Sequence, residues 1–294
     1  MSTLPLSTSS PQHSRSRMIW QRIRRNPVSF AALCVIAIIT LAAIFAPLIA
    51  PYMPDEPDAV AALQAPSWQH WLGADMYGRD LLSRIIFAAR IDLSVAFAAT
   101  ACALAVGALA GAAVGYRGGW VDNIAMRGVD SIMAFPAFVL AMGITAALGN
   151  STVNVAIAIA ITQIPSYLRL IRGEMLRVRE MEYADAARTV GNPTWRIVVV
   201  HLLPNCLPPL IVQSTLAMGF ALLTMASLSF IGLGIQPPQS EWGVMTAEGA
   251  QQIVTGEWWL FLFPGLAIMI TVLSFNLIGD GLRDLLDPRM RGIR

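Results

Sequence analysis

Five stretches without a single Asp, Glu or Arg, each at least 22 residues long, dominate this 294-residue sequence: 26–54, 93–116, 131–168, 202–240 and 258–279. A helix that crosses the hydrocarbon core of a bilayer needs about 20 mostly apolar residues. Composition agrees with a membrane setting. Hydrophobic residues make up 56% and charged residues 13% of the chain, against roughly 25% charged in soluble domains. A water-facing surface of ordinary charge density cannot be built from so few charges. Disorder of the whole chain is excluded by the same figures, and a disulfide scaffold by the presence of only three cysteines. The expected class is an all-α integral membrane protein.

Two windows are too long for one crossing. The 38 residues of 131–168 are interrupted by Gly149-Asn150-Ser151, a turn signal with an N-cap for the following helix, and read as two spans. The 39 residues of 202–240 open on Pro204, Pro208 and Pro209 and close on Pro237-Pro238, leaving about 210–233 as a span. The total is six. With the N-terminus inside, 17 of the 20 arginines fall on inner segments and only Arg79, Arg84 and Arg90 on outer ones. Basic flanks are retained on the cytoplasmic side, so both termini are expected to be cytoplasmic. The organisation that follows is a disordered basic N-terminus (1–25), a first uncleaved span (26–50) and an outer loop (51–92). A five-helix core (93–280) with an inner loop at 169–205 and a short inner tail (281–294) complete it.

The inner loop 169–205 is the most informative segment. No glycine or proline interrupts 174–190, and Leu176, Tyr183, Ala187 and Val190 share one helical face at spacings of 7, 4 and 3. Gly191 stands where a C′ residue with positive φ is wanted. Asn192 then suits an N-cap and Pro193 a first helical position, so a second helix is expected through His201, ending near Pro204. The small side chains of Ala184, Ala186 and Ala187 would let another surface approach the backbone closely. The same stripe would equally serve packing on the chain's own inner ends.

Tyr183-Ala184-Asp185-Ala186-Ala187-Arg188-Thr189-Val190-Gly191, followed after nine residues by His201-Leu202-Leu203-Pro204-Asn205, resembles the EAA loop of bacterial ABC-importer permeases. The general pattern is Glu-Ala-Ala, three residues, Gly, nine residues, Ile-x-Leu-Pro. Asp185 replaces the glutamate and His201 the isoleucine, and the His-x-Leu-Pro-Asn form is similar to the subgroup that imports peptides and nickel. Further blocks resemble that subgroup: Leu72-Gly73-Ala74-Asp75 with Gly78-Arg79-Asp80-Leu81-Leu82-Ser83-Arg84, Ser227 to Pro238 with Glu241-Trp242-Gly243, and Phe275 to Asp284 with Leu286-Asp287-Pro288-Arg289.

The resemblance implies a non-catalytic permease subunit in a bacterial inner membrane, forming half of a pore beside a homologous second permease. Two ATP-binding subunits would hold Mg-ATP, this chain itself carrying no cofactor and no metal. A periplasmic or extracellular binding protein would deliver substrate. In such a complex the loop residues Tyr183, Asp185, Ala186, Ala187, Gly191 and Pro204 couple the permease to an ATPase subunit. Dipeptides, oligopeptides, glutathione-like compounds and nickel complexes are all open as cargo. Membrane lipid is a partner; no nucleic acid is expected.

All twenty basic residues are arginine, which excludes a lysine Schiff base and the lysine of a Walker A loop in this chain. No span centre carries Asp, Glu or Arg, which argues against a proton-coupled carrier, and no clustered nucleophile or metal-ligand set suggests an enzyme. Asn154, Gln163, Thr215, Thr224 and Asn276 are candidate pore-lining groups, although interhelical hydrogen bonding would suit them as well. Gly107, Gly111 and Gly115, continuing Ala99 and Ala103, form a small-residue stripe that permits close helix approach, moving or static.

Overall fold

A computed structural model describes residues 27–286. The N-terminal segment expected to be disordered, 1–25, and residues 287–294 of the inner tail lie outside the described residues. Among those described there is no strand, and five helices are individually long and apolar enough to span a membrane. A sixth crossing exists only as a bent pair.

The first span, α1 (Pro27–Ile44), packs on α2 and on the last span, where Ser29 Oγ donates to the Leu277 carbonyl at 3.1 Å. Helix α2 (Leu81–Arg117) has 37 residues, about 55 Å at 1.5 Å per residue. It starts twelve residues before the charge-free window at 93, so the outer loop expected over 51–92 ends at Asp80. The N-cap is Asp80, whose carboxylate accepts the Ser83 N–H at 2.8 Å. Arg84 and Asp92 lie inside this helix, both buried. Hydropathy alone places charged residues outside the helix because their partners, here on other segments, are invisible to it.

The small-residue stripe of α2 faces α5 (Thr152–Val178). A Cβ added at Gly111 would lie 2.5 Å from the Leu168 carbonyl oxygen, and those at Gly107 and Gly115 would meet Tyr167 and Arg172. Ala99 and Ala103 continue the same buried face. The stripe is therefore intrachain packing at backbone contact.

The third span departs most from expectation. Helix α3 (Gly119–Met133) and helix α4 (Ala137–Leu148) meet at 86°, and α4 has only 12 residues, about 18 Å, too short to cross about 30 Å of hydrocarbon. Pro136 is the reason: it lacks an N–H and disfavours helical backbone at Phe135. Charge counting ran through this break because Phe135-Pro136 carries no charge. Helix α3 is pinned to α5 by Arg172–Asp122, bidentate at 2.9 and 2.5 Å, and by Arg169–Asp130 at 2.5 Å. The turn at 149–151 is as read from sequence. Gly149 has φ +89°, and Ser151 caps α5 by accepting the Asn154 N–H at 3.1 Å.

Helix α5 ends at Val178 and a separate α6 (Glu182–Thr189) follows, so the single helix expected over 174–190 is two. The chain then runs through Thr194–Arg196, a widened π-type turn at Ile197–Leu202 and a 3-10 turn at Leu203–Cys206 into α7 (Leu207–Phe230). Pro204 does not stop the helix. The wider and then tighter turns absorb its missing N–H, and the helical path from Thr194 to Phe230 is continuous. The segment 234–257 between the last two spans is not a plain connection: it holds α8 (Trp242–Gln252), wedged between α7 and α9 (Trp259–Leu286). Gly243 and Gly249 permit that wedge, since a Cβ at either would strike the backbone of Ala226 or Leu260.

Candidate functional site: an inner hairpin, a lateral cleft and an outer ion cluster

The inner hairpin turns on a Schellman motif. Gly191, at φ +79°, donates to the Arg188 carbonyl at 2.9 Å, and the Asn192 N–H reaches the Ala187 carbonyl at 3.4 Å. Asn192 was expected to cap the second helix. Its side chain instead donates to Ala187 O at 3.1 Å, closing the end of α6, and Pro193 occupies the next N-cap position. Ala184 and Ala187 are buried in the chain's own apolar core, and α6 packs on the π-type turn Ile197–Leu202. The buried face therefore differs from the expected stripe: Tyr183 and Val190 point outward, as do Asp185 and Ala186. With Trp195, Val199 and Val200 they leave an apolar surface uncovered, Val190 being 82% and Trp195 65% exposed. Arg188 pairs with Asp185 at 2.6 Å on that exposed side.

A cleft of about 440 Å³ opens between α5, α7 and α9, touching the start of α4. Gln163, Ser166, Tyr167, Gln213, Phe220 and Asn276 line it, and none of the lining residues is charged. Its walls are tied by hydrogen bonds. Gln163 Nε2 donates to Ala217 O at 3.0 Å, Thr100 Oγ1 to Gln163 Oε1 at 3.4 Å, and Tyr167 OH to Ser214 Oγ at 3.1 Å.

The outer end holds a buried ion cluster. Asp75 Oδ2 receives Arg79 Nε and Arg84 Nη1, both at 2.6 Å, and Arg84 Nη1 also reaches Glu248 of α8 at 3.1 Å. Asp80, besides capping α2, accepts from Ser83 Oγ at 2.7 Å and lies 2.9 Å from His70 Nδ1. A few residues along α2, Asp92 is fully buried beside Glu241 and accepts the Trp242 N–H at 3.2 Å. Glu241 caps α8 by accepting the N–H groups of Gly243 and Val244, both at 2.8 Å.

Residues 80–292 match the family described as binding-protein-dependent transport system inner membrane component. Residues 14–66 match the N-terminal TM domain of oligopeptide transport permease C. The chain belongs to this permease family. Similar proteins include the dipeptide transport system permease protein DppC of Alkalihalophilus pseudofirmus, 44% identical, with 94% of this chain and 90% of that one covered. The probable D,D-dipeptide transport system permease protein DdpC of Escherichia coli K12 is 43% identical over 94% and 92%. The glutathione transport system permease protein GsiD of Pectobacterium atrosepticum is 38% identical over 99% and 97%.

Within the permease, the expected pore-lining residues separate. Gln163 and Asn276 line the cleft. Asn154 does not: its amide donates to Leu148 O and Gly149 O at 2.8 and 3.0 Å, closing the end of α4. Thr215 bonds its own helix and stands against Gly279 of α9, and Thr224 is buried with its hydroxyl on the Phe220 carbonyl. Thr162, Ser166 and Gln213 line the cleft without having been singled out. The helical spacing of Gln163 and Ser166, three residues apart on a helix long enough to span, was the available signal. Among the hairpin residues expected to couple to a partner, Ala187 turns inward, while Tyr183, Asp185 and Ala186 face out. Gly191 makes the corner and Pro204 sits in the 3-10 turn below α7.

Proposed function

We propose that this permease forms half of the pore of an ATP-driven importer of di- or oligopeptides in a bacterial inner membrane. It works with a homologous second permease, two ATP-binding subunits that hold Mg-ATP, and a binding protein on the outer side. Hydrolysis belongs to the partners, and this chain carries no cofactor. Both termini lie in the cytoplasm, as the arginine distribution argues. Substrate class rests on the relatives, since two of those named above are described as dipeptide permeases. Glutathione, itself a tripeptide, is the second reading, favoured by 38% identity to a glutathione permease over 99% of this chain.

The observation that carries the coupling role is the uncovered apolar face of the hairpin, formed by Tyr183, Val190, Trp195, Val199 and Val200. Such a patch on an inner, arginine-rich segment fits a protein partner. Its outward side chains belong to a rigid corner, and its second limb is helical without interruption into α7. A partner that moves this corner moves a span. Coupling also requires the hairpin to bind the ATPase differently in its two states, because equal binding shifts no equilibrium. The cleft between α5, α7 and α9 offers uncharged hydrogen-bonding groups, suited to peptide amides in transit from the outer side.

The test is Trp195→Glu, with Ala186→Arg as a second variant, in the co-expressed complex. Both side chains are exposed, so membrane insertion should be intact. The ATP-binding subunits should be lost on purification and uptake abolished. Full retention of those subunits with normal uptake would remove the docking role.

A further inference from the structure

The hairpin has two attachments to the spans, and only one is the covalent path into α7. The other runs through two arginines. The last carbonyls of a helix have no partner within it. In α2 those of Gly115 and Tyr116 are met by Arg179 Nη1, at 2.8 and 3.2 Å. A guanidinium at a helix C-terminus also answers the partial negative charge there. Arg179 ends α5, and its own carbonyl accepts Arg188 Nη2 from α6 at 3.0 Å. The Arg188 guanidinium also stands 5.8 Å from the centre of the Tyr116 ring, within the range of a cation–π contact. The inner ends of α2 and α5 and the hairpin helix are thus knotted around Arg179, Arg188 and Tyr116.

The far end of α2 is bolted as firmly to α8. Arg84 reaches Glu248 at 3.1 Å, the Trp242 indole donates to the Ile85 carbonyl at 3.0 Å, and Asp92 holds the Trp242 N–H. Between these fixtures α2 is a single uninterrupted helix of 37 residues without proline. A helix fixed at both ends transmits displacement along its length.

We propose that Arg179 and Arg188 are positioning residues that make α2 move with the coupling hairpin, so that the state of the ATPase is carried along α2 to the outer helix α8. This rests on the reading that the hairpin meets an ATPase subunit. Coupling between sites is reciprocal in binding free energy. A binding protein engaged outside should therefore lose its influence on nucleotide turnover inside once the knot is cut.

The experiment uses the complete complex in lipid vesicles with its binding protein, presented with a mixture of di- and tripeptides. Arg179→Ala and Arg179→Leu, at the one arginine of the knot that lies off the exposed hairpin face, should retain both ATP-binding subunits and basal hydrolysis. Stimulation of hydrolysis by loaded binding protein, and peptide taken up per ATP, should fall about tenfold, within the usual range of a coupling factor. Arg179→Lys, which keeps a cationic donor, should recover part of the stimulation. Unchanged stimulation in both Arg179 variants would overturn the proposal. So would loss of the ATP-binding subunits from them, because the arginines would then merely fold the hairpin. Trp195→Glu separates the two readings: if that variant keeps its ATP-binding subunits and uptake, the docking reading itself fails, whatever the arginine variants do.

Discussion

The inner hairpin and the outer cap are both rich in charge, yet they are built in opposite ways. At the outer end Asp75, Arg79, Asp80 and Arg84 are all buried, with Arg84 only 1% exposed, and each is answered by another group of the same chain. At the inner end the Arg188–Asp185 pair lies on the surface beside bare Val190 and Trp195. Charge buried and matched within one chain fixes a geometry. Charge and apolar surface left exposed together offer a face to something else. The buried cluster is matched by groups of its own chain, and the hairpin leaves an apolar face uncovered.

The widest gap between the two regions should appear on removing one charge from each. Arg84→Leu deletes the buried guanidinium that Asp75 and Glu248 share, leaving both to Arg79 alone, at 2.6 and 3.7 Å. Breaking a buried pair from one side costs about 3–5 kcal/mol, a large part of the stability of a whole domain. Thermal unfolding of the detergent-solubilised protein should shift strongly downward, with protease cleavage appearing in the outer loop. Asp185→Asn removes an exposed partner, for which about 0–1 kcal/mol is usual, and its unfolding curve should overlay the parent. Equal shifts in the two variants would erase the contrast.

Within the hairpin the comparison can be sharpened at Gly191. A Cβ there meets nothing within 4 Å, so a substitution is opposed by backbone conformation alone. Left-handed φ costs an ordinary L-residue roughly 1–2 kcal/mol, with asparagine the usual exception. Gly191→Val should abolish uptake while the protein still inserts, and Gly191→Asn should keep most of it, measured as peptide accumulation in cells. Ala187→Asp should fail for another reason, by forcing a carboxylate into the interface between α6 and Ile197–Val198. A Gly191→Asn variant as inactive as the valine would point to contact, not backbone, as the constraint.

These two regions also mark where sequence reading succeeded. The Schellman corner, the cap at Ser151 and the helical character of the spans were legible because each depends on neighbours within one or two turns of chain. Distance defeated the rest. Arg84 and Asp92 looked like the flank of a span because Glu248 and Trp242, which hold them, lie about 150 residues further on. The inward face of α6 was misassigned for a related reason. The break at 179–181, where Arg179 leaves the helix to cap α2, resets the helical phase between Leu176 and Tyr183. Asn154 and Thr224 show the same limit at the cleft. A polar residue in an apolar run was equally compatible with lining a pathway and with bonding a carbonyl, and these two do the latter.

The smallest effect expected concerns the carboxyl pair that joins the cap to α2. Glu241 is fully buried, and the groups that meet it are the N–H groups of Gly243 and Val244, the Ser229 hydroxyl and Asp92, none of them cationic. Burial raises the pKa of Glu241, opposed in part by the two backbone N–H groups. A carboxyl whose folded-state pKa lies above its unfolded value stabilises the fold fully below the unfolded pKa, about 4.3 for glutamate. That contribution is lost as pH rises through the raised folded value. The α8 attachment should therefore loosen as pH climbs above the ordinary carboxylate range, while the Arg84 cluster, with its matched charges, holds. Glu241→Gln keeps the size of the side chain and an acceptor oxygen for the α8 N–H groups without ionising, so the fall in melting temperature as pH rises above the ordinary carboxylate range should flatten. Parallel pH profiles for parent and variant would mean that ionisation of Glu241 contributes nothing to the cap, leaving its attachment to the arginine cluster and to the Trp242 hydrogen bonds.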